Sequence, residues 1–448
     1  MTSISHASCA QRYLFLERPD FKRRLAAIAA ILLLSAPISF ARAANPPPSP
    51  LSWDQCVQAA LQANPDVASA HQNVESKLAF LRGTYNGYLP RLNFSATYER
   101  FGPVNNTPSP QWLANGSASM DILNLADPAT VATARAGLEQ AEASLRDSSA
   151  AVRFSLRKAY ADLLFAQEAI EVSKRIVDLR SKNSEMVTLR YNSGRESKGN
   201  MMRAKAELFQ SDADLRNANR ELRSAQHSLA QQLGLNEFQQ LTVLPMAPPA
   251  PLSDPEPNFE PLIDTRPDVR LAQAGLDVAD GDLLKSKSVV WPTLTANYVR
   301  GFQGPRFFPG DQEDWTLSGV LNLPIFSGGP SAAYYSIKGS RRAVQSAEES
   351  LRSVRNSART DLAASWTGLA SSADQVQVQH ALLSAARQRN DEADIRYTSG
   401  LLAYDNWELI VTDRVNFERS AIRAEHDAIV ASGQWEQSAG KLLEDRNE

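Results

Sequence analysis

The chain has 448 residues, 43% apolar and 22% charged, with a formal net charge of −3. That balance excludes a disordered chain and a bundle of membrane-spanning helices. It also argues against a nucleic-acid partner, the more so once an export segment is removed.

At the N-terminus Lys22-Arg23-Arg24 precede an apolar run from Leu25 to Leu34, and Ala41-Arg42-Ala43 follows. Positive, apolar, then small-x-small residues predict a signal peptide over residues 1–43. Its removal leaves 41 basic residues against 48 acidic ones, a net charge of −7. Only Cys56 then remains, so no internal disulfide is expected. No cysteine follows the cleavage site, so no lipid anchor is expected there. No later apolar run approaches the ~20 residues of a spanning helix. Any membrane crossing must therefore be made by strands.

Proline clashes with the preceding helical turn, so its distribution shows where long helices can lie. All 25 prolines fall within 19–128 and 245–330. Two long proline-free tracts remain, rich in good helix formers. The first repeat, 44–244, opens with a helix carrying a capping signal, Ser52 with Gln55, and running through Asn64-Pro65. Strands are expected at about 91–100 and 113–122. Leu92, Phe94, Ala96 and Tyr98 alternate with Asn93, Ser95, Thr97 and Glu99 in the first. Ala114, Gly116, Ala118, Met120 and Ile122 alternate with Asn115, Ser117, Ser119 and Asp121 in the second. A helical hairpin follows over about 126–234. Its apolar and small positions take heptad-like steps: Leu138, Ala141, Leu145, Ser148, Val152, then Leu156, Ala159, Leu163, Ala166, Ile170; the second tract steps through Val344, Ala347, Leu351, Val354, Ala358, Leu362, Ser365 and Leu369. Polar residues on the other faces leave one surface wet. Such a seam suits a hollow barrel of helices and an ordinary coiled coil equally.

A proline-rich linker, 245–261, leads to the second repeat, 262–448. Thr265 with Asp268 is the expected helix cap, with Pro267 in the first turn. Strands are expected at about 293–300 and 315–323, separated by an exposed loop that includes Asp311, Glu313 and Asp314, and a hairpin at about 331–443. The two copies correspond closely. Asn64-Pro65-Asp66-Val67 matches Arg266-Pro267-Asp268-Val269. Arg190-Tyr191-Asn192-Ser193-Gly194 matches Arg396-Tyr397-Thr398-Ser399-Gly400. Each glycine suits a left-handed helix stop, so each hairpin should bend just beyond it.

Strands with one apolar and one polar face suit a membrane barrel with lipid outside and water inside. A half-buried sheet in a soluble domain alternates in the same way. The strand count separates the two readings. Four strands leave two open edges, which lipid does not tolerate, and the smallest one-chain barrels need about eight. Several chains must therefore share one barrel; three copies supply about twelve strands, wide enough for a lumen. Trp112, Trp291 and Trp315, near strand ends, are read as an aromatic girdle.

Other chemistry finds no support in the sequence. The five histidines, His6, His71, His227, His380 and His426, lack paired metal spacing. Asp280-Gly281-Asp282 lies in a helical pattern without further calcium ligands. The glycines between 301 and 310 lack the strand-to-helix context of a phosphate loop. No catalytic residue, cofactor or metal is expected, and the chain is not read as an enzyme.

With the repeat, the strands and the Tyr-x-x-Gly tips in place, the chain resembles the TolC-like outer membrane efflux proteins over roughly 51–443. Leu51-Ser52-Trp53, Ala59-Ala60-Leu61, Tyr88-Leu89-Pro90, Thr265-Arg266-Pro267-Asp268-Val269 and Leu323-Pro324-Ile325-Phe326-Ser327-Gly328-Gly329 carry the resemblance. It implies a mainly α protein with a membrane β-barrel. Long helical hairpins would form a trimeric α-barrel, and four β-strands per chain a shared 12-stranded barrel, from a two-fold internal repeat. It further implies a homotrimer in the outer membrane extending into the periplasm. That trimer would be a passive exit duct for small molecules, served by a periplasmic adaptor (membrane fusion protein) and an inner membrane pump. The Arg266-Pro267-Asp268 phrase is most similar to members serving resistance-nodulation-division pumps.

The resemblance places Tyr191, Gly194, Asn200, Tyr397, Gly400, Asp405 and Asn406 at the periplasmic tip, where the gate and adaptor docking are expected. Relatives close that tip with tyrosine, aspartate and arginine contacts and with carboxylate rings. Here the tip-one aspartate aligns with Asn200 and the arginine with Leu402. The ring aspartates align with Asn406 and Leu409, with Asp405 or Glu408 as substitutes. A weaker gate follows, held by helix packing and amide hydrogen bonds. Two alternatives share parts of this pattern: the outer membrane component of a type I protein secretion system, and a periplasmic coiled-coil adaptor or scaffold.

Overall fold

The computed structural model describes residues 50–100, 110–235, 237, 239–252, 257–304, 312–325, 329 and 331–445. The expected signal peptide, residues 1–43, lies outside them, as do most of the loop at 305–311 and Phe326-Ser327-Gly328 of the phrase after the fourth strand.

The opening helix is two helices, not one. In α1 (Trp53–Ala63) the Ser52 Oγ accepts the Gln55 N–H at 3.3 Å, while Gln55 Oε1 accepts the Ser52 N–H at 2.9 Å. The chain breaks at Asn64 because a residue before proline is driven out of helical geometry. The same asparagine starts α2 (Pro65–Thr84), accepting the Asp66 and Val67 N–H groups, and its Nδ2 donates to the Gln232 carbonyl. In the second copy the counterparts are a single turn, α5 (Glu260–Ile263), and α6 (Pro267–Ser288). Thr265 does not cap α6. The extended residue before Pro267 is Arg266, which therefore takes the cap position without a side-chain bond. Thr265 Oγ1 instead donates to Leu262 O at 2.8 Å, closing the preceding turn.

Strands β1 (Arg91–Arg100), β2 (Pro110–Leu123), β3 (Thr293–Gly304) and β4 (Gln312–Asn322) form one antiparallel sheet in that order. β2 pairs with β3, so the sheet joins the two copies. The last three strands exceed their expected lengths because the ladder continues past the alternating cores. Glu313 and Asp314, expected in a loop, lie in β4 opposite Phe302 and Gly301. Register carries one face across the sheet: Leu92 opposes Ala118, Ala118 opposes Tyr298, and Tyr298 opposes Leu317. This apolar face is open, with Leu92 81% and Leu317 69% exposed. On the other face Arg91 pairs with Asp121 at 2.7 Å, and Thr295 Oγ1 donates to Asp121 at 3.0 Å. A register shift at Asp121/Leu123 ends the alternation where β2 turns toward the helices. Trp291 and Trp315 are exposed at strand ends, and Trp112 packs on Tyr98 at 4.9 Å.

Helices α3 (Ala126–Asn192) and α7 (Ala332–Thr398) each have 67 residues, ~100 Å at 1.5 Å per residue. The returns are α4 (Lys198–Gln232) and α8 (Tyr404–Ser438). α8 packs against both α7 and α3. The seam is buried as its steps require, at Leu156, Leu163 and Ile170 in one copy and Leu351, Leu362 and Leu369 in the other. Gly281 serves close packing in α6: a Cβ there would run into Thr133 of α3.

The faces off the seam are not wet throughout. Midway along α3, Arg153 and Arg157 are buried, both bonded to Glu436 at 2.9 Å, and Arg157 lies over the Trp53 ring. Burial there is tolerated because the carboxylate pairs with both, and the Leu442 and Asp445 carbonyls accept from Arg153; Arg157 Nε is left without a partner among the described residues. No described helix is long and apolar enough to cross a membrane.

Candidate functional site at the helical tips

Both tip turns are built alike. α3 ends at Gly194, φ +75°, with the Arg195 N–H bonded to Arg190 O at 2.8 Å. α7 ends at Gly400, φ +76°, with the Leu401 N–H bonded to Arg396 O at 2.8 Å. A left-handed residue followed by this six-to-one bond satisfies the orphan carbonyls of a helix end.

The matching tyrosines differ in position. Tyr397 is 1% exposed and stacks on Trp407 with centroids 4.5 Å apart. Tyr191 is only partly buried. Arg190 of α3 lies over the Tyr397 ring at 4.5 Å and donates to the Tyr397 carbonyl at 2.8 Å. The Tyr397 hydroxyl donates to Glu196 at 2.7 Å. Asn200 Nδ2 donates to the other Glu196 oxygen at 2.7 Å, and the Asn200 N–H is bonded by Ser197, which caps α4. The two turns are thus clasped within one chain by Arg190, Tyr397 and Glu196, with the Asn200 amide completing the carboxylate's shell. Burial pushes the Glu196 carboxyl up, but bonds from Tyr397, Ser197 and Asn200 and the nearby Arg190 charge outweigh it and hold it below its usual value. Burial, then the bond to Glu196, pushes the Tyr397 phenol well above its ordinary value.

Asp405 and Asn406 lie exposed on the first turn of α8, Asp405 at 3.9 Å from Arg203. Glu408, the other candidate ring carboxylate, is buried and faces inward. It accepts from Arg180 at 2.6 Å, and the same guanidinium reaches Glu207 at 2.9 Å. Burial, then hydrogen bonding with Glu207, pushes the Glu408 carboxyl up to about 7, against the pull of Arg180. One guanidinium cannot neutralise two carboxylates in so dry a place. Glu408 thus faces the packing between helices in this structure, where apolar Trp407 and Val411 lie on the same face of α8.

Sequence reasoning missed Glu196 and Trp407, gave Arg190 no role beyond the duplicated phrase, and offered Glu408 as a ring carboxylate without its partners Arg180 and Glu207. The aromatic pair Tyr404 and Trp407, one turn apart, was the available signal for an inward face. Trp407 Nε1 also ties back to Asp394 at 2.6 Å. The histidines are engaged singly: His426 bridges Asp162 and Asp427 at 2.8 Å each, and His380 meets Glu425 at 2.7 Å.

Comparison with known proteins agrees with this architecture. Nodulation protein T of Rhizobium leguminosarum bv. viciae is 23% identical over 330 residues, 69% of this chain and 68% of that protein. The outer-membrane channel OprN superposes with a TM-score of 0.77 at 17% identity, covering 87% of this chain and 90% of that one. The outer membrane protein VceC of Vibrio cholerae gives 0.75 at 18% identity, covering 87% and 96%. The family model for outer membrane efflux proteins matches residues 56–235 and 260–408, nearly three quarters of the sequence, which sets aside the periplasmic adaptor alternative. With two hairpin copies joined through one lipid-compatible sheet, the chain belongs to the outer membrane efflux protein family.

Proposed function

We propose that three copies of this chain close one barrel of about twelve strands and form a passive duct from the periplasm through the outer membrane. The four-stranded sheet carries the proposal: its apolar face is exposed, and β1 and β4 each leave an outer edge without a partner among the described residues. Closing those edges with neighbouring copies removes the unpaired backbone groups that lipid excludes. The duct performs no covalent chemistry; its cargo is moved by a partner. A periplasmic adaptor docks at the tips, where Leu189 and Leu401 are exposed beside the two glycine turns, and an inner membrane pump supplies the energy. The arginine-proline-aspartate phrase favours a pump of the resistance-nodulation-division type.

At the tip, the gate is the clasp of Arg190, Tyr397 and Glu196, with Gly194 and Gly400 shaping the turns and Tyr191 and Asn200 flanking them. Asn406 offers amides where a carboxylate ring would concentrate a cation-binding field. Asp405 is offset by Arg203. Conductance across planar bilayers tests this, and strong block by low concentrations of divalent cations would contradict it.

The assembly itself is tested in outer membrane fractions. Heat-modifiable trimers are expected there, and a stable water-soluble monomer would overturn the reading. Cross-linked pull-down with mass spectrometry should recover an adaptor and a pump. Recovery of a type I secretion transporter would assign the same duct to protein export.

A further inference from the structure

The junctions between helices and strands carry an unbalanced charge. Residues 77–90, leading into β1, hold Lys77 and Arg82. Residues 283–292, leading into β3, hold Lys285 and Lys287. Residues 332–347, following β4, hold Lys338, Arg341 and Arg342. These three segments contain seven basic residues and no acidic one. The fourth junction, leading out of β2, is balanced by Asp127 and Arg135.

A run of basic residues on a helix is usually a solvated face, and its charges usually find partners. Further along α7 they do: Arg352 pairs with Glu349, Arg355 with Asp264 and Arg359 with Glu260. The collar differs. None of its seven cations forms an ion pair with a carboxylate among the described residues. Lys338 lies over the Tyr334 ring at 5.7 Å, and Arg342 donates to Gln345 at 2.7 Å. Tyr334, Ile337, Lys338, Arg341, Arg342 and Gln345 line a cavity of about 430 Å³ on α7.

Exposed aromatic rings interleave with these cations: Tyr85 and Tyr88 before β1, Trp291 before β3, and Tyr334 and Tyr335 after β4. Aromatic rings and long cations together are the composition of a membrane–water interface. The three segments, which together form a collar, adjoin the ends of β1, β3 and β4. Lys338 is six residues into α7, ~9 Å from its start, and Arg342 ten residues, ~15 Å, so the band reaches through a headgroup layer and beyond it. Copies closing side by side would bring the cations of α7 towards those of another copy's α2, with no acid in either segment. That placement favours an anion between them.

From this placement, we infer that the collar binds anionic glycerophospholipids of the leaflet bordering the helical end of the barrel, with phosphates on Lys285, Lys287, Lys338, Arg341 and Arg342. The inference rests on the duct reading above.

The test uses the full mature chain in lipid nanodiscs, carrying Trp112→Phe and Trp315→Phe so that Trp291 is the lipid-exposed reporter. Quenching of its fluorescence by brominated phosphatidylglycerol is compared with quenching by brominated phosphatidylcholine. A preference of about fivefold for the anionic lipid is expected for one contacted cation. It should fall towards unity in a variant with Lys285, Lys287, Lys338, Arg341 and Arg342 all changed to Gln. It should also fall as salt rises, which tests the idea even if that variant assembles poorly. Equal quenching by the two lipids, or a preference indifferent to salt, would overturn the inference. A chain that never enters nanodiscs as a heat-modifiable oligomer would overturn the duct reading instead.

Discussion

Tyr397 bears three different contacts with three other segments: a stack on Trp407 of α8, a cation–π seat for Arg190 of α3, and a hydroxyl bond to Glu196 in the first tip turn. Tyr397→Phe removes only the last. A bond to a charged acceptor contributes about 1.5 kcal/mol, and its loss should loosen the tip without unfolding the hairpin. The expected result is a slightly lower melting temperature and more frequent open events in planar bilayers; unchanged gating would remove Tyr397 from the clasp. Glu408 gives a pH dependence of definite sign. Its carboxyl has a native value of about 7 against an ordinary 4.5, so the native state favours the protonated form. That contribution is complete below pH 4.5 and is lost as pH rises through 7. Arg180, Glu207, Arg203 and Tyr404 are the charged and titratable groups that surround it. Protection factors near residues 404–412, with the intrinsic pH dependence of amide exchange divided out, should therefore be larger at pH 5.5 than at pH 8.5. Glu408→Gln should flatten that difference; a difference that persists would assign it to another group.

Glycine at a helix end is required for different reasons in different elements. Gly194 and Gly234 both have positive φ, +75° and +68°. Nothing lies within 4 Å of a Cβ on Gly194, whereas a Cβ on Gly234 would run into the Ala63 carbonyl at the end of α1. Gly194→Ala should cost about 1–2 kcal/mol, the penalty of a left-handed alanine. Gly234→Ala adds a backbone clash and should lower the yield of assembled oligomer far more. Chemical denaturation with oligomer yield on semi-native gels compares the two, and equal effects would show that α1 and the end of α4 do not pack as described. The contact matters because α1 sits on the largest apolar core, with Trp53, Cys56 and Ala60 against Leu156, Leu163 and Leu229. The break that Pro65 imposes at Asn64 is used there: the asparagine side chain serves α2 and the end of α4 at once.

At the scale of the whole molecule, the sheet's two faces should respond oppositely to charge. Phe94 lies on the exposed apolar face, and Ser95 on the face shared with Asn115. Phe94→Arg places a cation in lipid, at a cost of about 2–4 kcal/mol near the bilayer midplane. Assembly in outer membranes should fall accordingly. Ser95→Arg should assemble normally and change conductance instead. If both variants assembled equally well, the lipid-facing assignment would fail.

Long-range pattern was legible from residue order alone. Proline's exclusion from helix interiors located the hairpins, period-two alternation located the strands, and the duplicated phrases located the tips. These follow from local backbone geometry, which neighbouring residues dictate. Contacts between distant segments were not legible. Arg190 and Arg396, like Tyr191 and Tyr397, hold matching places in the duplicated phrase, yet Arg190 and Tyr397 meet while Arg396 is exposed and Tyr191 only partly buried. The repeat is symmetrical in sequence, but α8 packs against both α7 and α3, and so gives each copy a different inner side. The same asymmetry buries Glu408 and leaves Asp405 exposed, three residues apart on one helix. Local propensity therefore determined which elements form, and the packing of helices distant in sequence decided which side chains are buried at the helical tips.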